Sequence, residues 1–279
     1  MNGPGADASP RAMLKACCAA AYQQDVVALI LGESYHPGGL DLTRRLARTL
    51  RLEPAQRVLD VASGRGATAC LLAGEFGVDV DGIDLGNASV ERARAAGAER
   101  GLSGRVRFQT ADAERLPFAD GVFDAVVCEC ALCTFPDKAT AVAEFARVLR
   151  PGGRVGITDV TVDQARLDPQ LATLAGYVAC IADARPAAGY AALLDAAGLS
   201  VAVSEPHDEA LAGMVDQIEG RLRAASLLGL PGVPDDLEAV LRVTSAASQA
   251  IADGVAGYHL IVAHKPGTAA PHNDKEILA

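Results

Sequence analysis

Leu42, Leu46 and Leu50 recur every four positions among Arg44, Arg45 and Arg48, which predicts an amphipathic helix over residues 41–50, with Pro54 just beyond it. Next comes RVLDVASGRG, an apolar run ending in a glycine-rich turn, read as a strand and then a loop. ATACLLAGEFG reads as a helix stopped by Gly77, and VDVDGIDL as a second strand. SVERARAAGAERG predicts a helix, RVRFQTAD a short strand, and FDAVVCECAL a strand running into a loop. TAVAEFARVLR is again helical and PGGRVGITDV again a strand. Strand and helix alternate at a spacing that demands parallel strands joined by helical crossovers, a doubly wound sheet.

The rhythm then breaks. Residues from about 167 to 198 read as helices, LSVAVSE as a strand, residues 209–254 as mostly helical with a break at LPGVPDD, and GYHLIVAHKP as a last strand. No single short crossover joins those two strands, so they are expected to pair antiparallel at the sheet edge. The expected fold is α/β: a doubly wound, Rossmann-like, mostly parallel seven-stranded sheet with an antiparallel last strand and a late helical insertion. Residues 1–40 are expected to form a helical segment and lid, 41–267 the α/β domain with helical caps at about 167–198 and 209–254, and 268–279 a flexible tail.

Composition bounds this picture. The 279 residues fit two small domains or one enlarged one, and the lack of repeats or a compositional shift favours one. Half the residues are hydrophobic, enough for a sizeable core. The 25 basic residues against 35 acidic ones give a net charge of −10, which argues against a nucleic-acid surface. Asp7 and Arg11 interrupt the first residues, and the early apolar run at 26–31 is far short of the ~20 residues a membrane helix needs. A cytoplasmic protein with no membrane partner is expected. No segment reads as an unaccompanied apolar interface, so the expectation is a monomer. Seven cysteines, an odd number, point to free thiols in a reducing compartment.

Gly64 and Gly66 sit where the first strand turns into a helix, letting a ligand approach the backbone. Asp84, 20 residues after Gly64, is placed to accept hydrogen bonds from a ribose diol. With Ala69 the spacing also satisfies a dinucleotide fingerprint, GxGxxA. Asp60 bears on the choice: a pyrophosphate would meet a second negative charge there, whereas a ligand bearing a sulfonium and an ammonium would find an attractive partner. VLDVASGRG, GIDL, ADAERLPF, FDAVVCECAL and LRPGGRVGITD, in that order over residues 57–159, resemble the class I S-adenosylmethionine-dependent methyltransferases. The resemblance implies S-adenosylmethionine as cofactor, with Asp60, Ala62, Ser63, Gly64 and Gly66 around its methionine part. Asp84 would hold the ribose, Asp112 and Ala113 would border the adenine, and Leu85 and Glu129 would also contact the cofactor. Ala62 stands where the family usually has the first glycine of the turn. Two alternatives remain at this point, a dinucleotide enzyme and an α/β protein without a cofactor.

Ligands of an open α/β sheet bind beyond the carboxyl ends of its strands. CECALCTFPDK begins where the fourth strand should end, which delivers Cys128, Cys130 and Cys133 near a transferable methyl. Cys128 and Cys130 share a face if the strand persists to Ala131. This string, with ACIADARPAAGYAALLDAAGL around Cys180, resembles the arsenite methyltransferases. The resemblance implies that Cys130 and Cys180 bind trivalent arsenic as thiolates, as soft sulfur suits a thiophilic centre. Cys128 and Cys133 would join Cys130 and Cys180 as catalytic residues, Cys17 and Cys18 would be candidates for a further ligand or redox relay, and a thiol reductant would be a partner. An arsenic lone pair would attack the methyl in line without a general base.

The alternative is a methyltransferase acting on the O, N, C or S atom of a small organic molecule. It would use Glu129, Tyr35 or His36 near the methyl, with the cysteines as packing. A zinc site built from the thiols, and a cofactor-binding regulator or scaffold without turnover, are further readings. Cys70 reads as core. His207 is expected to cap a helix, and His259 and His264 to occupy edge positions.

Overall fold

A computed structural model describes residues 35–171, 180–229 and 236–267, together with Lys15, Ala20, Tyr22 and Leu31. Helix α1 (Gly39–Thr49) is followed by β1 (Arg57–Val61), α2 (Ala67–Phe76), β2 (Asp79–Asp84), α3 (Asn87–Glu99) and β3 (Val106–Thr110). Then come β4 (Phe123–Glu129), α4 (Lys138–Val148), β5 (Leu149–Val162), α5 (Ala187–Ala196), β6 (Ser200–Pro206), α6 (Asp208–Leu227), α7 (Leu237–Ala252) and β7 (Ala256–His264). They build one α/β, Rossmann-like mixed sheet of seven strands in the order β3-β2-β1-β4-β5-β7-β6. The first five strands run parallel, and β7 runs antiparallel to both neighbours.

The sheet is coated on both faces, as parallel strands require. On one face Leu42, Leu46 and Leu50 pack with Leu72, Val90, Tyr258 and Leu260. On the other, Val142, Phe145, Tyr190 and Leu194 pack with Leu59, Val126 and Ile157. Thus α1 sits where its leucine stripe predicts, with Leu42 and Leu46 buried and Asp41 in its first turn.

The last two strands do pair antiparallel, but the final strand is not the edge. β7 is buried along almost its whole length, whereas β6 alternates exposed and half-buried residues and takes the outer position. His259 and His264 are therefore not on an edge strand: His259 lies between two neighbours and shares a hydrogen bond with Thr161 at 3.1 Å, while His264 is exposed where β7 ends. His207 holds the N-cap position of α6 but makes no side-chain capping bond. Helix does not begin at residue 167. Leu167 and Asp168 are irregular and Pro169 to Leu171 form a turn, in which the Asp168 carboxylate accepts the Gln170 amide. The Gln164 side chain donates to the Ala184 carbonyl at 2.8 Å and ties this stretch to the start of α5. Residues 172–179, 230–235 and 268–279, and nearly all of 1–34, lie outside the described residues. Among the described residues no helix is long and apolar enough to cross a membrane.

Candidate active site

A cavity opens at the carboxyl ends of β1, β2 and β4, the position the sheet topology favours. Its floor is the turn after β1. Ser63 N donates to the Ile83 carbonyl and Gly66 N to the Ser63 carbonyl, both at 2.8 Å, while Ala62, Gly64 and Gly66 have φ of 57°, 52° and 81°. Gly66 is held from two sides. A Cβ there would meet Phe108 Cζ at 2.9 Å and Ala93 Cβ at 3.0 Å, so the missing side chain lets α2 close onto the sheet. A Cβ on Gly64 would meet nothing within 4 Å.

Carboxylates dominate the walls. Asp60 is only 2% exposed, and its Oδ2 has no hydrogen-bond partner. Burial, and then the charges of Glu129 and Asp84, push its carboxyl well above the usual range. Asp84 accepts the amides of Gly64 at 3.0 Å and Gly86 at 2.7 Å, and burial outweighs them to raise it as well. Glu129 ends β4 and accepts the hydroxyls of Thr43 (3.0 Å), Thr68 (2.7 Å) and Thr158 (3.4 Å), with His36 Nε2 3.6 Å away. His36 is itself buried against the Pro37 carbonyl and Thr43. Leu85, Asp112, Ala113 and Glu114 continue the lining, and Lys15 bridges Asp112 at 2.8 Å and Glu114 at 2.6 Å. The unpartnered, buried Asp60 oxygen near Glu129 suits a cationic ligand, which would favour the charged carboxylate, and disfavours a pyrophosphate.

The cysteines separate. β4 stops at Glu129, and Cys130 leaves it at φ 51°, so Cys128 and Cys130 do not share a face. Cys128 is fully buried in the apolar layer beneath α4, whereas Cys130 lines the cavity. Cys133 lies in the short 3₁₀ turn Leu132–Thr134, buried, its amide donating to Asp159 Oδ2 at 3.0 Å. Cys180, also at positive φ (64°), brings its Sγ within 3.9 Å of Cys130 Sγ and 3.5 Å of Tyr22 Oη. Hydrogen bonds from the Cys130 and Cys133 thiols hold Cys180 well below the usual thiol range against the opposing effect of burial. Cys130 is pushed up by its bond to Cys180 and by burial, and Cys133 chiefly by burial. Burial and the neighbouring Cys180 charge raise Asp159 to about 7. Among the described residues no three His, Cys, Asp or Glu side chains are placed to hold a metal ion. Cys70 is buried within α2, and Cys17 and Cys18 lie outside the described residues.

Several residues here carry no local sequence signal. Thr43, Thr68 and Thr158 come from α1, α2 and β5 and meet only at Glu129. Tyr22 reaches Cys180 across 158 positions, and its ring stands 6.3 Å from that of Tyr35, over which the Arg65 guanidinium lies. Buried Lys138 bonds Asp183 and the Phe135 carbonyl just behind the thiols.

Residues 59–157 match a family described as a methyltransferase domain. The O-methyltransferase cnsE of Penicillium expansum is 42% identical over 124 residues, 44% of each chain. The arsenite methyltransferase of Halobacterium salinarum is 33% identical over 165 residues, 57% of this chain and 41% of that one. The chain spans about half the length of the curated relatives it matches. The solved phosphoethanolamine N-methyltransferase 2 of Haemonchus contortus, in complex with S-adenosyl-L-methionine, superposes with a TM-score of 0.76 at 20% identity. That alignment covers 91% of this chain and 60% of the other, a likeness of fold.

Proposed function

We infer that this chain, whose residues 59–157 carry a methyltransferase domain within the class I α/β fold, is an S-adenosylmethionine-dependent methyltransferase acting on a small molecule. The observation that carries the reading is the orphaned Oδ2 of buried Asp60, facing a cavity that Glu129 also lines. A ligand with an ammonium and a sulfonium meets that need. Bound there, it supplies an activated methyl group. Asp60 and the Ser63–Gly66 turn would hold the methionine end, Asp84 the ribose hydroxyls, and Asp112 with Ala113 the adenine edge. The protein's contribution is then proximity and orientation.

Relatives named as O-methyltransferases favour an organic acceptor. It would enter between Tyr35, Thr134, Phe135 and Cys130, where His36 and Glu129 are the titratable groups beside the Cys130 thiol. A second reading, trivalent arsenic, is favoured by the 3.9 Å approach of Cys130 and Cys180, which suits two thiolates on one soft centre. Such an acceptor brings its own lone pair and leaves no proton to be moved.

Calorimetry with S-adenosylhomocysteine, with NADH as control, tests the cofactor assignment, and absence of S-adenosylhomocysteine binding overturns it. Labelled S-adenosylmethionine with arsenite, methylarsenite and a panel of small phenols, alcohols and amines then decides the acceptor. Label in an organic product supports the first reading, and label only in methylated arsenic supports the second.

A further inference from the structure

The thiol pair has a neighbour that the proposed reaction does not use. Tyr22 Oη lies 3.5 Å from Cys180 Sγ, on a ring held against Tyr35 and lining the cavity. A phenol keeps its proton at neutral pH, and burial strengthens that tendency here, so Tyr22 is the donor and the Cys180 sulfur the acceptor. Cys130 Sγ stands 3.9 Å from the same sulfur, and a disulfide between them requires closure to about 2.05 Å. The phenol's bond is made to an electron-rich free sulfur. A disulfide sulfur is a poorer acceptor, so the bond favours the reduced pair.

We propose that Tyr22 is a positioning residue that keeps Cys130 and Cys180 as a reduced, aligned dithiol. The proposal rests on the methyltransferase reading only in taking that dithiol as part of the acceptor site. The reaction Tyr22 opposes is thiol–disulfide exchange with a small disulfide such as oxidised glutathione. One thiol attacks it and releases a reduced glutathione. The second thiol attacks the mixed disulfide, forms the Cys130–Cys180 bond and releases another. Two electrons pass from the protein dithiol to glutathione, and the two thiol protons end on the two glutathiones released. A donor fixed on Cys180 raises the potential of this couple and leaves the thiols free to meet an acceptor.

The test equilibrates the full-length protein, without cofactor, in glutathione redox buffers, and mass spectrometry of the linked Cys130–Cys180 peptide reads the oxidised fraction. In Tyr22→Phe, which keeps the ring, the equilibrium should shift about tenfold toward the disulfide, about 30 mV toward a more reducing couple. 3-Fluorotyrosine at position 22, a stronger donor that preserves the fold, should shift it the other way. A couple that moves less than twofold in both variants, or a wild-type protein that never forms the linked peptide, overturns the proposal. S-adenosylhomocysteine calorimetry on the same samples separates the two ideas. Binding with an unmoved couple overturns the Tyr22 assignment alone, and a moved couple without binding overturns the methyltransferase reading alone.

Discussion

Cys130 Sγ and Cys180 Sγ stand 3.9 Å apart although 50 residues separate them in the chain. Both occupy left-handed backbone, at φ 51° and 64°, a conformation that costs a non-glycine residue about 1–2 kcal/mol. Packing around both residues sustains that cost: Cys130 N donates to the Thr158 carbonyl at 2.6 Å, and Cys180 is buried against the same apolar layer as Cys133 and Ile181. Strain at two facing thiols, one of which lines the cavity, is what makes this corner worth testing as the acceptor side.

If arsenic is the acceptor, Cys130→Ser and Cys180→Ser should each remove methylation of arsenite and methylarsenite. Affinity for S-adenosylhomocysteine should change less than about threefold, because among the described residues no hydrogen bond joins either sulfur to Asp60, Asp84 or Asp112. Speciation of the products together with calorimetry checks this. Full turnover in both variants would place the acceptor elsewhere.

Asp60→Asn should act with opposite signs on binding and on stability. Charge-assisted hydrogen bonds contribute about 1.5–3 kcal/mol, so affinity for S-adenosylhomocysteine should fall roughly 10- to 100-fold. The free protein should melt at the same or a higher temperature, since a buried carboxylate with one unpartnered oxygen is removed. Unchanged affinity with lowered stability would mean that Asp60 is structural.

Asp159 gives a pH signature. Its folded value of about 7 lies above the ordinary carboxylate value of about 3.9, so the native state holds a proton that the unfolded chain has released. Its contribution to stability is therefore complete below about pH 4 and is lost as pH rises toward 7, on the order of a few kcal/mol. Asp159→Asn should flatten that part of the stability–pH curve, whatever it costs at a single pH. Denaturant melts at half-unit pH steps measure the slope, and an unchanged slope would refute the assignment.

Two substitutions in the turn should diverge. Gly66→Ala places a Cβ 2.9 Å from Phe108 Cζ at φ 81° and should destabilise by about 2–4 kcal/mol with loss of cofactor affinity. Ala62→Gly relieves a residue at φ 57° and should leave stability equal or raised by up to about 1 kcal/mol. Thermal melts compare them directly, and equal losses would show that backbone strain does not govern the turn.

Sequence alone determined the parallel core and the turn that floors the cavity. Hydrophobic periodicity and turn glycines are local properties, and Asp60, Ser63, Gly64, Gly66 and Asp84 lie at the end of one strand, in the turn that follows it and at the end of the next. Tertiary structure decided everything that depends on where separate elements meet. It placed β7 inside β6, because burial against neighbours ranks two strands that both read as apolar. It turned Cys130 to the cavity and Cys128 away from it, because β4 ends one residue before the alternation would have paired them. It gathered Thr43, Thr68 and Thr158 onto Glu129, and Tyr22 onto Cys180, across 29 to 158 positions. Contacts over such separations follow from sheet register and helix crossings, and no short window of sequence contains them.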